Sequence, residues 1–536
     1  MSISAARPTI VADALPLSAA GKPANAANAS FTDWIAVAAG SLGALLATLD
    51  ISITNSALPQ IQGQIGATGT EGTWISTGYL LSEIVMIPLA AWLTRVFGLR
   101  RFLMTMAVLF TLCSMYCGMS NSLTAMIIGR IGQGFAGGAM IPTAQTIIRT
   151  RLPAHQMSIG MTLFGLTVLL GPLMGPVVGG WLTENASWRW CFFLNLPVSA
   201  ALITLLWTGL KSDRMDLEQF FKADWLGILG LALGLSSLTV VLEEGQRDHW
   251  FESTMITTLS VLMVIGFALI AVGQFTAKKP IVRLALLRNP RYASVIVIVA
   301  AVGAGLYGVS YLLPQFLGTV AGYNAQQAGG IMLLSGAPAF LLMPFLPTLL
   351  NRYSARVLVC IGLLLYFASC MLDISLTADS VGHDFYLSQI LRGFAQMLAM
   401  MPLNQASMAA VEAHEAGDAA GLYNMARNLG GSIGLALLGV LIDRRTHYHD
   451  EVIRESLTAN SSIGQAHIAS SSASFLAQSG DAALAQLQAY AQLASTIARE
   501  ATVMTYNESF FLLGLALLAC VPLALTLKKR PASVKQ

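Results

Sequence analysis

A chain of 536 residues with 55% hydrophobic and only 11% charged residues, at mean hydropathy +0.66, is too apolar for a water-soluble globule and has the make-up of a polytopic membrane protein. Its net charge of +3 is too small to suggest nucleic acid as a partner. Outside the apolar stretches no segment is long enough to make a separate soluble domain.

In chain order, residues 1–33 are rich in Ala, Ser and Pro and lack a basic start running into an apolar core, so they read as a disordered cytoplasmic tail rather than a cleaved signal. Apolar segments of about 20 residues, the length that crosses a bilayer, begin near Trp34, Trp74, Phe102, Leu123, Ile159 and Trp190. They form a six-helix half over 34–210. A linker region, 211–276, carries a polar interlude from Lys211 to Asp224 and two further spans near 225–242 and 254–276. The second half, 277–527, opens on a basic stretch from Lys278 to Arg291. It has spans near 293–317, 327–350, 356–374, 386–410, 419–442 and 508–527, with a long polar loop, 444–505, before the last. A basic tail, 528–536, closes the chain. The fold class is all-α with fourteen spans.

Lys and Arg asymmetry sets the orientation. Arg95, Arg100, Arg101, Lys278, Lys279, Arg283, Arg288, Lys528, Lys529 and Arg530 fall on one side, which places both termini in the cytoplasm. The loop after the seventh span, on the other side, is acidic (Glu243, Glu244, Asp248, Glu252). Arg444 and Arg445 run against the pattern, but they open a long loop, where the rule is weak, beside Asp443, Asp450 and Glu451. All six cysteines lie in apolar segments and read as small buried hydrophobes. His447 and His449 sit in a solvated loop, and no metal site is expected.

The halves repeat at an offset of 255 to 260. Leu58-Pro59-Gln60 recurs as Leu313-Pro314-Gln315, Gly134-Phe135-Ala136 with Pro142 as Gly393-Phe394-Ala395 with Pro402, and Gly171 and Gly175 as Gly430 and Gly434. Two repeats of six helices meeting at a central site is an architecture of secondary transporters. The two spans at 225–276 lie between them.

Three charges stand near the middle of apolar spans: Asp50, Glu83 and Arg130. One such charge at the bilayer centre costs about 2.5–3.5 kcal/mol, so they must face each other or a wet cavity. Arg130, Gln133, Gly134, Gly137 and Ile141 share one helix face, a guanidinium beside a glycine groove. Ser76, Tyr79, Glu83 and Met86 follow helical spacing one turn before Pro88, and Asp50 shares a face with Thr54, next to Asn55. In the fifth span Gly171, Gly175 and Gly179 form a stripe. Gly180 extends it, and Pro172 and Pro176 remove backbone donors and bend the helix, which suits either close packing or a moving gate. Asn55, Tyr79, Gln133, Gln145, Tyr307, Gln315, Gln396, Asn404 and Asn424 are candidates to line a mostly apolar cavity that suits amphipathic or cationic molecules.

No Gly-x-x-x-x-Gly-Lys-Ser/Thr loop exists, which excludes an ATP-driven pump on this chain alone, and no nucleophile or metal cluster marks an enzyme. No cofactor is expected beyond a proton gradient. A broad drug exporter, a dedicated exporter of one metabolite and a non-transporting sensor or scaffold all remain open on composition.

These motifs bring a family into view. Leu49-Asp50-Ile51-Ser52-Ile53-Thr54-Asn55-Ser56-Ala57-Leu58-Pro59 resembles the first-helix signature of the drug:proton antiporter-2 family of the major facilitator superfamily. The Arg130–Gly138 run resembles that superfamily's fourth-helix motif, Gly171–Gly180 its fifth-helix antiporter motif, and Trp188–Pro197 the stretch opening this family's sixth helix. The resemblance implies proton-driven efflux, with Asp50 and Arg130 as proton-coupling residues, and the expected location is a bacterial inner membrane. Glu83, which shares a face with Tyr79 before Pro88 and would be too costly against lipid, is expected from its own position to be a second protonatable site facing the cavity. Arg95 stands where the superfamily pattern has an aspartate, which puts its acidic latch in doubt. The same departure looks like the EmrB branch, whose members work with a periplasmic adaptor and an outer-membrane channel. From Asp481 to Met504 the long loop reads as an amphipathic helix, with Leu484, Leu487 and Ile497 on the side expected to meet such an adaptor or, alternatively, the protein itself or the lipid surface.

Overall fold

The computed structural model describes residues 28–153, 155–211, 215–277, 280–342, 344–457 and 461–527. The first 27 residues, Lys278, Lys279 and the basic tail 528–536 lie outside the described residues. The chain is all helical among the described residues.

The first half comprises α1 (Phe31–Ile65), α2 (Trp74–Phe97), α3 (Leu99–Met119), α4 (Leu123–Arg151), α5 (Met157–Asn185) and α6 (Asn195–Gly209). Between the halves lie α7 (Trp225–Glu244) and α8 (Thr254–Thr276). The second half holds α9 (Pro290–Thr319), α10 (broken into Ala325–Leu333, Gly336–Leu342 and Leu346–Arg352), α11 (Ala355–Leu372), α12 (Tyr386–Ala409), α13 (Ala416–Ser456), α14 (Ser462–Ser479) and α15 (Ala482–Leu518). Eleven helices are long and apolar enough to cross a membrane by length and composition. The fourteen expected spans are found with α4, α10 and α12 added, which polar residues or breaks hold below that mark. We call the bundle end where α1 begins the near face and the opposite end the far face.

Helix ends depart from the expectation in three places. The tail of 1–33 ends early: Ser30 and Asp33 form a capping box, so α1 begins at Phe31. Glu243 and Glu244 belong to α7 rather than to an acidic loop, and Glu244 is buried. The expected loop 444–505 is largely helical. α13 runs on to Ser456, α14 follows, and α15 passes without interruption into the last span. Its Ala, Gln and Leu content sustains a helix after the hydropathy falls. Gly480, at φ 68°, makes the left-handed turn between α14 and α15, and Asp481 caps α15 through the Ala483 and Leu484 amides.

The repeat is visible as matched helix contacts. Gly171, Gly175 and Gly179 of α5 lie on Thr48, Ser52 and Ser56 of α1, and Gly430 and Gly434 of α13 lie on Ala300 and Ala304 of α9. Pro176 cannot donate to the Pro172 carbonyl one turn earlier, and the Ser52 hydroxyl donates to that carbonyl instead, at 3.3 Å. The apolar core of the first half takes in Met408, Ala416, Ala420 and Leu422 of the second, and the second half has a further apolar core of its own. A smaller cluster, in which Leu169 and Leu173 meet Leu346, Leu350, Met397 and Met401, joins them.

The α1–α5 seam generates a prediction. A Cβ on Gly175 would come within 2.8 Å of the Ser52 backbone, whereas one on Gly180 would meet nothing within 4 Å. Gly175→Val is expected to cost about 1–3 kcal/mol, the usual range for overpacking, seen as a lower melting temperature of the purified protein. Gly180→Ala should leave it unchanged, and equal effects would refute the seam.

Candidate functional site

The site begins with a glycine groove. A Cβ on Gly138 of α4 would sit 2.7 Å from the Glu83 carbonyl of α2, and one on Gly134 would lie 2.8 Å from the Tyr79 carbonyl carbon. Glycine at both positions lets α2 lie directly on α4. That contact sets the Tyr79 ring 4.4 Å from the Arg130 guanidinium carbon, a cation–π arrangement.

Arg130 is fully buried and meets Asp50 of α1, Nη1 to Oδ2, at 2.5 Å. The other carboxylate oxygen accepts from Gln133 Nε2 at 3.0 Å and from Asn195 Nδ2 of α6 at 2.6 Å. Asn195 also donates to Ser114 Oγ of α3 at 2.9 Å, and Ser114 donates to the Phe192 carbonyl at 2.8 Å. Asp50 is therefore bonded directly to α4 and α6, and α3 is drawn in through Asn195. Arg130 keeps partners besides Asp50: its Nε donates to the Ile75 carbonyl at 3.2 Å and its Nη1 to Gln133 Oε1 at 3.0 Å. The guanidinium would stay partly satisfied if Asp50 lost its charge.

Glu83 is buried on α2, with no hydrogen bond among the described residues, and is reached by the charges of Arg427 and Arg130. The candidate cavity residues divide. Tyr79 and Gln133 belong to the Asp50 cluster. Gln145 of α4 accepts from Asn424 of α13 at 2.8 Å, both buried, which bridges the halves. Asn55, exposed on α1, accepts from Ser76 at 2.7 Å, and Gln315 is exposed on α9. Tyr307 donates to Asn428 at 3.3 Å, Asn404 is buried with Oδ1 unbonded, and Gln396 is half-buried. Gly171, Pro172, Gly175, Pro176 and Gly179 lie along α5 as expected from their spacing, and Gly180 packs against nothing. Sequence reasoning did not assign Asn195 or Ser114 to the cluster; an asparagine directly in an apolar run before Pro197 was the available signal.

On the near face Arg95 does have an acidic partner, from the other half. Its Nη1 meets Asp418 Oδ1 of α13 at 2.8 Å, and Arg283 approaches Asp418 Oδ2 at 3.2 Å and Glu415 at 3.4 Å. The latch is kept with its polarity reversed. Gly417 and Gly421 of α13 pack on Ala91 and Ile87 of α2, and Gln405 of α12 donates to Ser158 of α5 at 3.1 Å. The near face is thus shut.

The surface expected to meet an adaptor is changed in one respect. Leu484 and Leu487 are exposed, but Ile497 is buried, on a seam with Ala485, Ala489 and Ala501. Arg499 fixes α15 to the Val320 and Ala378 carbonyls, at 3.0 and 2.5 Å. His447 and His449 pair with Glu451 and Glu508, and the described residues contain no group that could hold a metal ion.

Two six-helix repeats, the first built around a buried ion pair and the two shut together on one face, are the architecture of a multi-pass secondary transporter. Comparison with known proteins gives the family. Residues 40–435 match the Major Facilitator Superfamily, and the chain belongs to it. It is 33% identical over 427 residues (80% of this chain, 83% of the relative) to the colistin resistance protein EmrB of Acinetobacter baumannii. Over 475 residues (88% and 91%) it is 29% identical to the multidrug export protein EmrB of Escherichia coli strain K12. Among solved structures, the human organic anion transporter MFSD10 superposes with TM-score 0.57 at 14% identity, over 90% of this chain and 99% of that one. The proton:xylose symporter XylE superposes with TM-score 0.56 at 15% identity, over 92% and 96%, and both likenesses speak to the fold alone.

The reversed latch is testable. A cavity of about 220 Å³ near Arg95 is lined by Thr94, Thr143, Thr146 and Gly417. With a single reporter cysteine at Thr146, Asp418→Asn is expected to raise labelling by a membrane-impermeant thiol reagent from the near face several-fold. Unchanged labelling would mean that the glycine packing alone seals this face.

Proposed function

We propose that the protein is a proton-coupled multidrug exporter of a bacterial inner membrane, working by alternating access on amphipathic or hydrophobic toxic compounds. The near face is then cytoplasmic, with both termini on that side, as the Lys and Arg asymmetry favours. The observation that carries this reading is the Asp50–Arg130 pair, buried among Gln133, Asn195 and Tyr79. The relatives whose names describe multidrug export and colistin resistance support the substrate class.

In this reading Asp50 is the coupling carboxylate. Proton uptake from the far side removes its charge and frees Arg130 to its remaining contacts with the Ile75 carbonyl, Gln133 and the Tyr79 ring. Those contacts lower the cost of breaking a buried ion pair, which otherwise leaves an uncompensated charge. The two helices that Asp50 bonds directly, α4 and α6, are then released from it together, and proton release to the cytoplasm resets them. Glu83, buried and without a hydrogen-bonding partner among the described residues, is the second protonatable site and the point where a cationic substrate docks. Asp50→Asn is expected to retain drug binding in purified protein but to abolish export driven by a pH gradient in proteoliposomes. Unimpaired gradient-driven export by this variant would sink the coupling role.

The α14–α15 hairpin on the far face is the proposed dock for a periplasmic adaptor leading to an outer-membrane channel, through exposed Leu484 and Leu487 rather than buried Ile497. Leu487→Glu should abolish co-purification with the adaptor and leave transport in vesicles intact. Retained co-purification would reduce the hairpin to a lid.

A further inference from the structure

Among the described residues three arginines of the membrane-spanning helices Leu123–Arg151, Tyr386–Ala409 and Ala416–Ser456 are buried: Arg130, Arg392 and Arg427. Two are neutralised. Arg130 has Asp50 at 2.5 Å, and Arg392 has Asp373 at 2.6 Å. Arg427 of α13 is 8% exposed and has no carboxylate within ion-pairing distance among the described residues. Its Nε and Nη2 both donate to the side-chain carbonyl of the adjacent Asn428, each at the long distance of 3.3 Å. The same oxygen also receives the Tyr307 hydroxyl at 3.3 Å. Three donors share one neutral acceptor, so the guanidinium is held in place without being neutralised, and Nη1 makes no hydrogen bond among the described residues.

A mid-membrane cation without a counter-ion costs about 2.5–3.5 kcal/mol on insertion scales, and a residue of that kind belongs to a functional site by default. Its position says which kind. Asn424, one turn nearer the near face, closes the halves through Gln145, so Arg427 lies one turn beyond that closure toward the far face. Glu83 is the carboxylate whose charge interacts with it, from the opposite half and beyond ion-pair range. Tyr307 and Tyr423 also lie within its electrostatic reach.

We propose that Arg427 is an anion-docking residue of the substrate site, taking the carboxylate, or an equivalent single anionic group, of an amphipathic molecule. A planar guanidinium with free donors matches a carboxylate in charge and geometry, and an aromatic and apolar surround accepts the rest of the molecule. With Glu83 of the first half within electrostatic reach, the proposed site has one pole of each sign. The inference rests on the exporter reading, and it adds anionic amphiphiles to the cationic ones that Glu83 would take.

The test is equilibrium binding to the full-length protein in nanodiscs, without any gradient, of three probes of one shape: 9-anthracenecarboxylate, 9-anthracenecarboxamide and 9-anthracenemethylammonium. Wild type is expected to bind the carboxylate about tenfold more tightly than the amide, a difference of about 1.4 kcal/mol. Arg427→Gln should erase that preference and leave amide binding unchanged. If Arg427→Gln does not fold, Arg427→Lys decides, since it keeps the charge but not the fork, and the carboxylate-to-amide ratio should fall at least about threefold. No carboxylate preference in wild type, an unchanged ratio in the variants, or equal loss of all three probes would overturn the proposal, the last making Arg427 a structural counter-charge to Glu83. Failure of gradient-driven export in vesicles would count against the exporter reading alone, because binding is read without a gradient.

Discussion

Everything in the first half is arranged around one buried ion pair. Asp50 and Arg130 are both removed from solvent, and desolvating two charges is recovered only when the remaining donors and acceptors are also met. Asp50 meets that demand with Gln133 and Asn195, Arg130 with the Ile75 carbonyl and the Tyr79 ring. These partners come from α2, α4 and α6, while Ser114 of α3 holds Asn195 in turn. A single acid therefore fixes the relative positions of five helices, and the glycines of α4 exist where they do because a side chain there would push α2 and its tyrosine away. In a membrane, where lipid offers no hydrophobic force between helices, polar contacts and close small-residue packing are what remain to set the geometry.

The second half copies the packing without copying the charge. Glycines on α13 approach α9 as those of α5 approach α1, but the position matching Arg130 at the offset of 259 is Gln389, and the one matching Gln133 is Arg392. Arg392 pairs with Asp373 near the end of α11, away from the helix that matches α1. The two repeats thus share a scaffold and differ in where their charges sit, which leaves Arg427 as a buried charge of the second half with no ion-pair partner among the described residues.

Much of this was legible in the sequence, and the failures have a common cause. The spans, the repeat and the intramembrane charges follow from composition and local spacing, because a helix face is a property of one segment, and the family from the motifs that resemble it. Which neighbour covers a face is not. Tyr79 and Gln133 share faces with Glu83 and Arg130, and only the structure shows Tyr79 stacked on the Arg130 guanidinium and Gln133 bonded to Asp50. Arg95 reads as a lost acidic latch because its acid, Asp418, is supplied from more than three hundred residues away. Ile497 looks exposed on an amphipathic helix, but the helix continues into the bundle and its alanine side is the one that packs. The opposite lesson comes from Ser52, whose hydroxyl replaces the donor that Pro176 lacks and becomes intelligible only once α1 and α5 are seen together.

The two extra helices have a mechanical meaning. Toward the far face α7 stands between α2 and α13, where a bundle of two six-helix halves would expose a cleft to lipid. It is tied firmly to α2: Glu244 accepts from Thr77 at 2.7 Å and from Thr73, and Ser236 donates to the Leu81 carbonyl at 3.3 Å. To α13 it is joined by the hydroxyl of Ser432 on Glu243, at 2.9 Å. Breaking that bond costs about 1 kcal/mol, the net worth of an ordinary hydrogen bond. The insertion is thus a fence hinged on one post. In the exporter reading it would travel with the first half, part from the second, and keep acyl chains out of the cleft as the halves move.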